Sequence, residues 1–192
     1  GAAIITKGGY NVITDGVLNA ENSATITLND VLMHDVDRAI GCSGFGSRIV
    51  MSQSTVQRAQ YRGVYTSDCT LTIEQSVFAD ISLGASNDSP FVFGVSAYRS
   101  KTILKKVTFQ NIKGTGVLLD KALDGTLIKD STVSDSPTGI SIMGGTQTLD
   151  NILFKNLSLG IKQTGAATTT FQNMTNQNFS NVTVTSTPAG LF

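Results

Sequence analysis

The sequence predicts an all-β chain wound into a coil of short parallel strands, and three recurring rows of residues lead there. The first row is the apolar residue after the small residue of each Gly-Val or Gly-Ile pair. It runs Ile40, Val64, Val95, Val117, Ile140 and Ile161, at spacings of 24, 31, 22, 23 and 21. The second row, Met33, Val56, Phe78, Phe109, Val133 and Phe154, keeps step with the first across the same long interval. A third row precedes both: "TITL" at Thr25, "RIVM" at Arg48, "TLTI" at Thr70, "KTIL" at Lys101, "GTLI" at Gly125 and "QTLD" at Gln147. Each repeat therefore carries three short strands of alternating character.

The connections decide how those strands pair. Between the first and second strand of each repeat stand polar turns such as "ND" at 29–30, "SQS" at 52–54, "EQS" at 74–76 and "KDS" at 129–131. They are too short for the usual crossover between parallel strands of one sheet. A coil satisfies both facts if every turn gives one strand to each of three parallel sheets. Like positions then stack about 4.8 Å apart and the apolar rows become internal ladders. About seven rungs of 21–24 residues are expected, one of them lengthened by "LGASNDSPFVFG" at 83–94. An inserted loop of that kind walls a binding surface or is a tolerated excursion. The hairpin folds that compete favour Asn-Gly and Asp-Gly turns, and here only Asp15-Gly16 and Asp124-Gly125 occur.

Composition narrows the partners. Fourteen basic residues balance fourteen acidic ones among 192, and 15% of the chain is charged. With no basic stripe, a nucleic-acid partner is not expected. No apolar run approaches the roughly 18 residues that span a membrane, so no membrane insertion is expected. Cys42 and Cys69 fall about three residues out of step on neighbouring rungs, which favours two thiols over a bridge. Residues 1–192 read as one domain. Neither end reads as an amphipathic cap, and a bare coil exposes sheet edges. The chain is therefore expected to be part of a longer polypeptide, or to meet another such domain or subunit there.

The x-F-x-N-x-x-x-x-G-I/V outline, as in "TFQNIKGTGV" from Thr108, resembles the right-handed parallel β-helix of pectate-lyase-like proteins over nearly the whole chain. The resemblance implies that fold, and its members include lyases, hydrolases, epimerases, phage tailspikes and adhesins. The stretch 94–136 further resembles the later β-helix region of the chondroitinase B and alginate lyase family. The likeness rests on the Tyr98-Arg99 pair, an F-x-N-I rung and the "TLIKDSTVSDS" rung. That family's catalytic Lys and Arg and its calcium-binding Asn and Glu have no matching motif here. The likeness therefore implies a companion or divergent member whose activity does not carry over.

In this family the cleft lies along the strand that opens with the Gly-Val pair. Alternation turns two columns outward there: Gly41, Tyr65, Ser96, Leu118, Ser141 and Lys162, and Ser43, Ser67, Tyr98, Asp120, Met143 and Thr164. Tyr98, Arg99 and Lys162 are the catalytic candidates, for proton exchange and neutralisation of a uronate carboxylate. Tyr65, Asp68, Lys101, Asp120 and Lys121 are the substrate-binding candidates. Asp68 and Asp120, two rungs or about 10 Å apart, are slightly too far separated for an inverting hydrolase. The expected function is a carbohydrate-active domain associated with an acidic-polysaccharide lyase of alginate-like uronans. The rival is a phage tailspike or surface adhesin, and either role belongs outside the cell, in the periplasm or on a virion. No metal site and no cofactor are expected. His34, the only histidine, reads as plain surface, with Asp35 pointing to the opposite side of its strand.

Overall fold

A computed structural model of the chain describes residues 11–13, 18–82, 91–174 and 182–184. Every strand pair is parallel, and successive partners lie one repeat apart. A single rung consists of Arg48–Ser52, Thr55–Gln57 and Arg62–Ser67, one strand for each of three sheets. Seven strands, from Thr25–Asn29 to Ala167–Gln172, stack in the first sheet. The second and third sheets join where two eleven-residue strands, Thr132–Ile142 and Leu153–Gln163, run unbroken around a corner.

The expected ladders are present in register. Ile40, Val64, Val95, Val117, Ile140 and Ile161 pair in succession, and so do Met33, Val56, Phe78, Phe109, Val133 and Phe154. All twelve are buried, and the Phe78 and Phe109 rings stack with centroids 5.2 Å apart. One expectation shifts: Gln147 pairs with Thr126 rather than with Gly125. A bulge between Ala122 and Thr126 absorbs the extra residue. Of the expected insertion, Phe93 and Gly94 belong to the strand Phe93–Tyr98, and 83–90 lie outside the described residues.

Each corner is turned by a residue in the left-handed region. Between the first and second sheets these are Asp30, Gln53, Gln75, Lys106, Asp130 and Asn151, with φ between 48° and 56°. Such a conformation is strained for a side chain with a Cβ. The compensation is local. The amides of Asp30, Gln53, Gln75, Lys106, Asp130 and Asn151 each donate to a carbonyl of the next rung at 3.0–3.1 Å, so the ladder continues around the bend. The residue that follows turns inward and is often serine. Ser54, Ser76 and Ser131 are buried. Each hydroxyl donates to the carbonyl two residues back and accepts an amide from the preceding rung. The polar groups of the bend are thereby satisfied inside the coil.

The Gly of the Gly-Val pair has a different cause. Gly63, Gly94 and Gly116 sit where an added Cβ would lie 2.6–2.8 Å from the carbonyl oxygen of the next rung's glycine. At Gly94 it would also meet Phe109 Cδ1 at 2.5 Å. Ala39 takes the equivalent place on the earliest of these rungs. Burial here reads outward, inward, inward: Arg62, Gly63 and Val64, then Thr115, Gly116 and Val117. The alternation breaks at the glycine, which therefore sets the face of every residue before it.

Cys42 and Cys69 are joined by a disulfide, which overturns the expected pair of thiols. Cys42 pairs with Thr66 on the next rung, and Cys69 is three residues further along. Those three residues are spent turning the corner at Asp68, whose φ is 59°. Cys69 therefore swings back into the interior beside Cys42, with Cα atoms 6.3 Å apart. Linear distance along the chain misjudged a path that bends.

Two measurements check this account. Gly94→Ala adds a methyl group yet is expected to lower stability by about 1–3 kcal/mol in urea unfolding, through overpacking. Denatured, unreduced protein is expected to show no reactive thiol, and Cys42→Ser with Cys69→Ser is expected to cost about 3–4 kcal/mol for a loop of this length.

Candidate functional site

The outer face of the third sheet is built by columns, since each residue lies directly over its counterpart on the next rung. Tyr65 pairs with Ser96, Ser67 with Tyr98, and Tyr98 with Asp120. Just beyond these strand ends stand the left-handed corner residues Asp68, Arg99 and Lys121, with φ of 59°, 43° and 52°. Arg99 Nη2 donates to Asp68 Oδ2 at 2.7 Å, and its guanidinium lies 4.8 Å from the Tyr98 ring centre. Lys121 Nζ lies 5.5 Å from the same ring. The structure thus gathers Asp68, Tyr98, Arg99, Asp120 and Lys121 into one group over three rungs. The ion pair holds the Arg99 guanidinium above its usual range, mainly through the Asp68 hydrogen bond. Asp68 Oδ1 is buried and has no hydrogen-bond partner among the described residues. Solvent does not reach that oxygen, and Asp68 serves to hold Arg99 through its other oxygen.

Other candidates stand apart. Lys162 lies three rungs from Tyr98, about 14 Å along the axis, so it shares no reaction centre with Tyr98 and Arg99. Lys101 begins the next first-sheet strand, its stem running over Gly125 of the bulge. Tyr65 is one rung earlier, and its ring is covered by Arg62 at 4.9 Å.

A second arrangement escaped the sequence reading. Beside Tyr65 lies a cleft of about 420 Å³ lined by Asn19, Glu21, Arg38, Ile40, Gly41, Cys42, Ser43, Arg62 and Tyr65. Arg38 and Arg62 pair on adjacent rungs, two positions before the inward Ile40 and Val64. Strict alternation would place them inside with those residues. The break at Ala39 and Gly63 turns them out instead, and that break is the signal that would have revealed them.

Asp35 is placed differently than expected. Asp35 takes a φ of 57°, which returns its side chain to the His34 side, and Oδ2 lies 2.5 Å from His34 Nδ1. Arg58 of the next rung grips the same carboxylate with Nε at 2.6 Å and Nη2 at 2.7 Å. The Arg58 hydrogen bonds, then the His34 bond, hold the Asp35 carboxyl far below its usual range. Asp150 is likewise lowered, by Lys129 first and then Asn173.

With the geometry in view, comparison supplies the class. Residues 93–188, half of the chain, match the family model described as right handed beta helix region, and the chain belongs to that family. No curated protein and no solved structure matches it at a significant level.

The lowered Asp35 and Asp150 carboxyls fix a pH dependence. Their folded-state values lie below those of the unfolded chain, so their contribution is complete above about pH 4 and is lost as pH falls towards the folded values. Melting temperature is expected to fall from about pH 4 downward, and Asp150→Asn is expected to flatten that fall.

Proposed function

We propose that this chain is a carbohydrate-active β-helix domain that engages an acidic, alginate-like polysaccharide as part of, or beside, a polysaccharide lyase. The observation that carries the reading is the group of Asp68, Tyr98, Arg99 and Lys121 on the outer face of the third sheet. Two cations flank a tyrosine there, and Lys121 forms no ion pair among the described residues. A cation without a protein partner favours a polyanionic chain. The domain would meet such a polymer outside the cell, in the periplasm or on a virion, beside another β-helix domain or subunit.

Elimination in a uronan removes the C5 proton, breaks the C4–oxygen bond and leaves a C4–C5 double bond, the proton ending on the departing oxygen. Tyr98 is the side chain positioned to exchange that proton. Lys121 and Arg99 are positioned to offset the charge that builds on the uronate carboxylate.

Incubation with oligomannuronate, followed by binding and by absorbance of the unsaturated product, tests this. The wild type is expected to bind and to form product. Tyr98→Phe is expected to bind with product formation reduced at least a hundredfold. Binding without product in the wild type would leave a recognition module and remove the lyase. Binding confined to neutral glycans would favour the tailspike or adhesin reading, and no binding to any glycan would overturn the proposal.

A further inference from the structure

We propose that the cleft floored by Gly41 is a subsite for one acidic sugar residue, whose carboxylate is held between the guanidinium groups of Arg38 and Arg62. The inference rests on the polysaccharide reading above and names the part of the face that takes the acid group.

Charge stacking is its first support. On adjacent rungs opposite charges meet in four ion pairs among the described residues. Asp35 meets Arg58, Asp68 meets Arg99, Glu74 meets Lys105, and Lys129 meets Asp150. Lys105 stacks on Lys129 and Arg99 on Lys121, but in each stack at least one cation has an acid on its far side. Arg38 stacks on Arg62 with no such relief: among the described residues neither forms an ion pair, and the neighbour of Arg62 on its other side is Phe93. Like charges opposite one another in a sheet are destabilising. The one acid that lines the cleft, Glu21, accepts a hydrogen bond from Asn19 Nδ2 at 2.5 Å instead.

Geometry is the second support. Arg62 is wedged between Tyr65 at 4.9 Å and Phe93 at 5.6 Å, while Arg38 lies 5.8 Å from the centre of the Tyr61 ring. The two ring contacts restrain the Arg62 guanidinium before a ligand arrives, which lowers the entropy lost on binding. Burial and the adjacent Arg38 depress the Arg62 guanidinium, with Tyr65 acting in the other direction, and an anion in the cleft would offset the repulsion from Arg38. Gly41 leaves the floor open between Asn19 and Tyr65, which flank it on adjacent rungs. The resulting volume of about 420 Å³ falls within the small-ligand range of about 300–1,000 Å³.

The test compares trimannuronate, its carboxyl-reduced form and a sulfated neutral trisaccharide, each titrated by calorimetry into wild type, Gly41→Leu and Arg38→Gln. Gly41→Leu fills the cleft without touching either arginine, and its nearest obstacle is the movable Asn19 side chain. Both variants are expected to keep the wild-type circular dichroism and to bind trimannuronate at least tenfold more weakly. The carboxyl-reduced form is expected to bind weakly and equally to all three proteins. Trimannuronate binding that survives in both variants would overturn the subsite and leave the polysaccharide reading standing. Absence of trimannuronate binding by the wild type would overturn both. Tighter binding of the sulfated sugar, lost in the variants, would overturn the carboxylate assignment.

Discussion

The amide ladder along the coil axis constrains everything else in this molecule. Because each rung hydrogen-bonds to the next in parallel register, every position lies over its own counterpart at about 4.8 Å. A bend that broke the ladder would strand amides in the interior, so the bend must be made in very few residues. The left-handed corner residues do this with their amides still donating up the axis, and inward serines satisfy what remains. The strain of each bend is local, whereas the ladder it preserves runs the length of the coil. The glycines obey the same constraint from the other side: at Gly63, Gly94 and Gly116 the rungs approach too closely for a Cβ.

Stacking also organises charge. In a helix or hairpin an isolated charge can find a partner in several directions, but here its nearest lateral neighbours are the rung before and the rung after. Opposite charges in one column become ion pairs with little loss of freedom, as in Arg58 with Asp35. The cation of each pair is about half exposed, and a pair exposed on both sides, such as Arg58 with Asp35, is worth little alone. Their value lies more in register, since a slip of one residue would break the whole set. A column of like charge with no ion pair among the described residues is therefore conspicuous, and Arg38 with Arg62 is such a column.

The fold was legible because its signal is cumulative. Ile40 through Ile161 and Met33 through Phe154 gave two independent rows with the same long interval, and the structure keeps both rows in register. What was lost depended on local backbone direction rather than on period. Asp35 was assigned to the wrong side because a left-handed residue reverses the alternation. Cys69 seemed three residues distant from Cys42 until the corner at Asp68 folded that distance away. Arg62 faces outward although it stands two residues before the inward Val64, because Gly63 breaks the alternation. Each miss occurred at a bend or a phase break, where counting by twos stops being valid. The candidate site was legible by column, so Tyr98 and Asp120 do adjoin, but not by extent, so Lys162 falls three rungs away.

The two cation groups on the third sheet constrain how a single ligand could touch both. Arg62 opens the strand Arg62–Ser67, whereas Asp68 and Arg99 stand just past its end and that of its neighbour. The strand's length separates them by about 16 Å, but along the axis they are only one rung apart. A polymer running along the axis would follow one column and meet one group, leaving the other unused. A polymer crossing the rungs would pass from Arg38 and Arg62 over Tyr65, and then reach Asp68, Arg99 and Lys121. The cleft's lining runs along one strand from Arg38 to Ser43 and includes residues of the rungs on either side. Tyr65 therefore lies between Arg62 and the Tyr98 group on such a crossing path. A subsite for the acid group at one end and a proton-exchanging tyrosine at the other are compatible only if the chain lies across the coil.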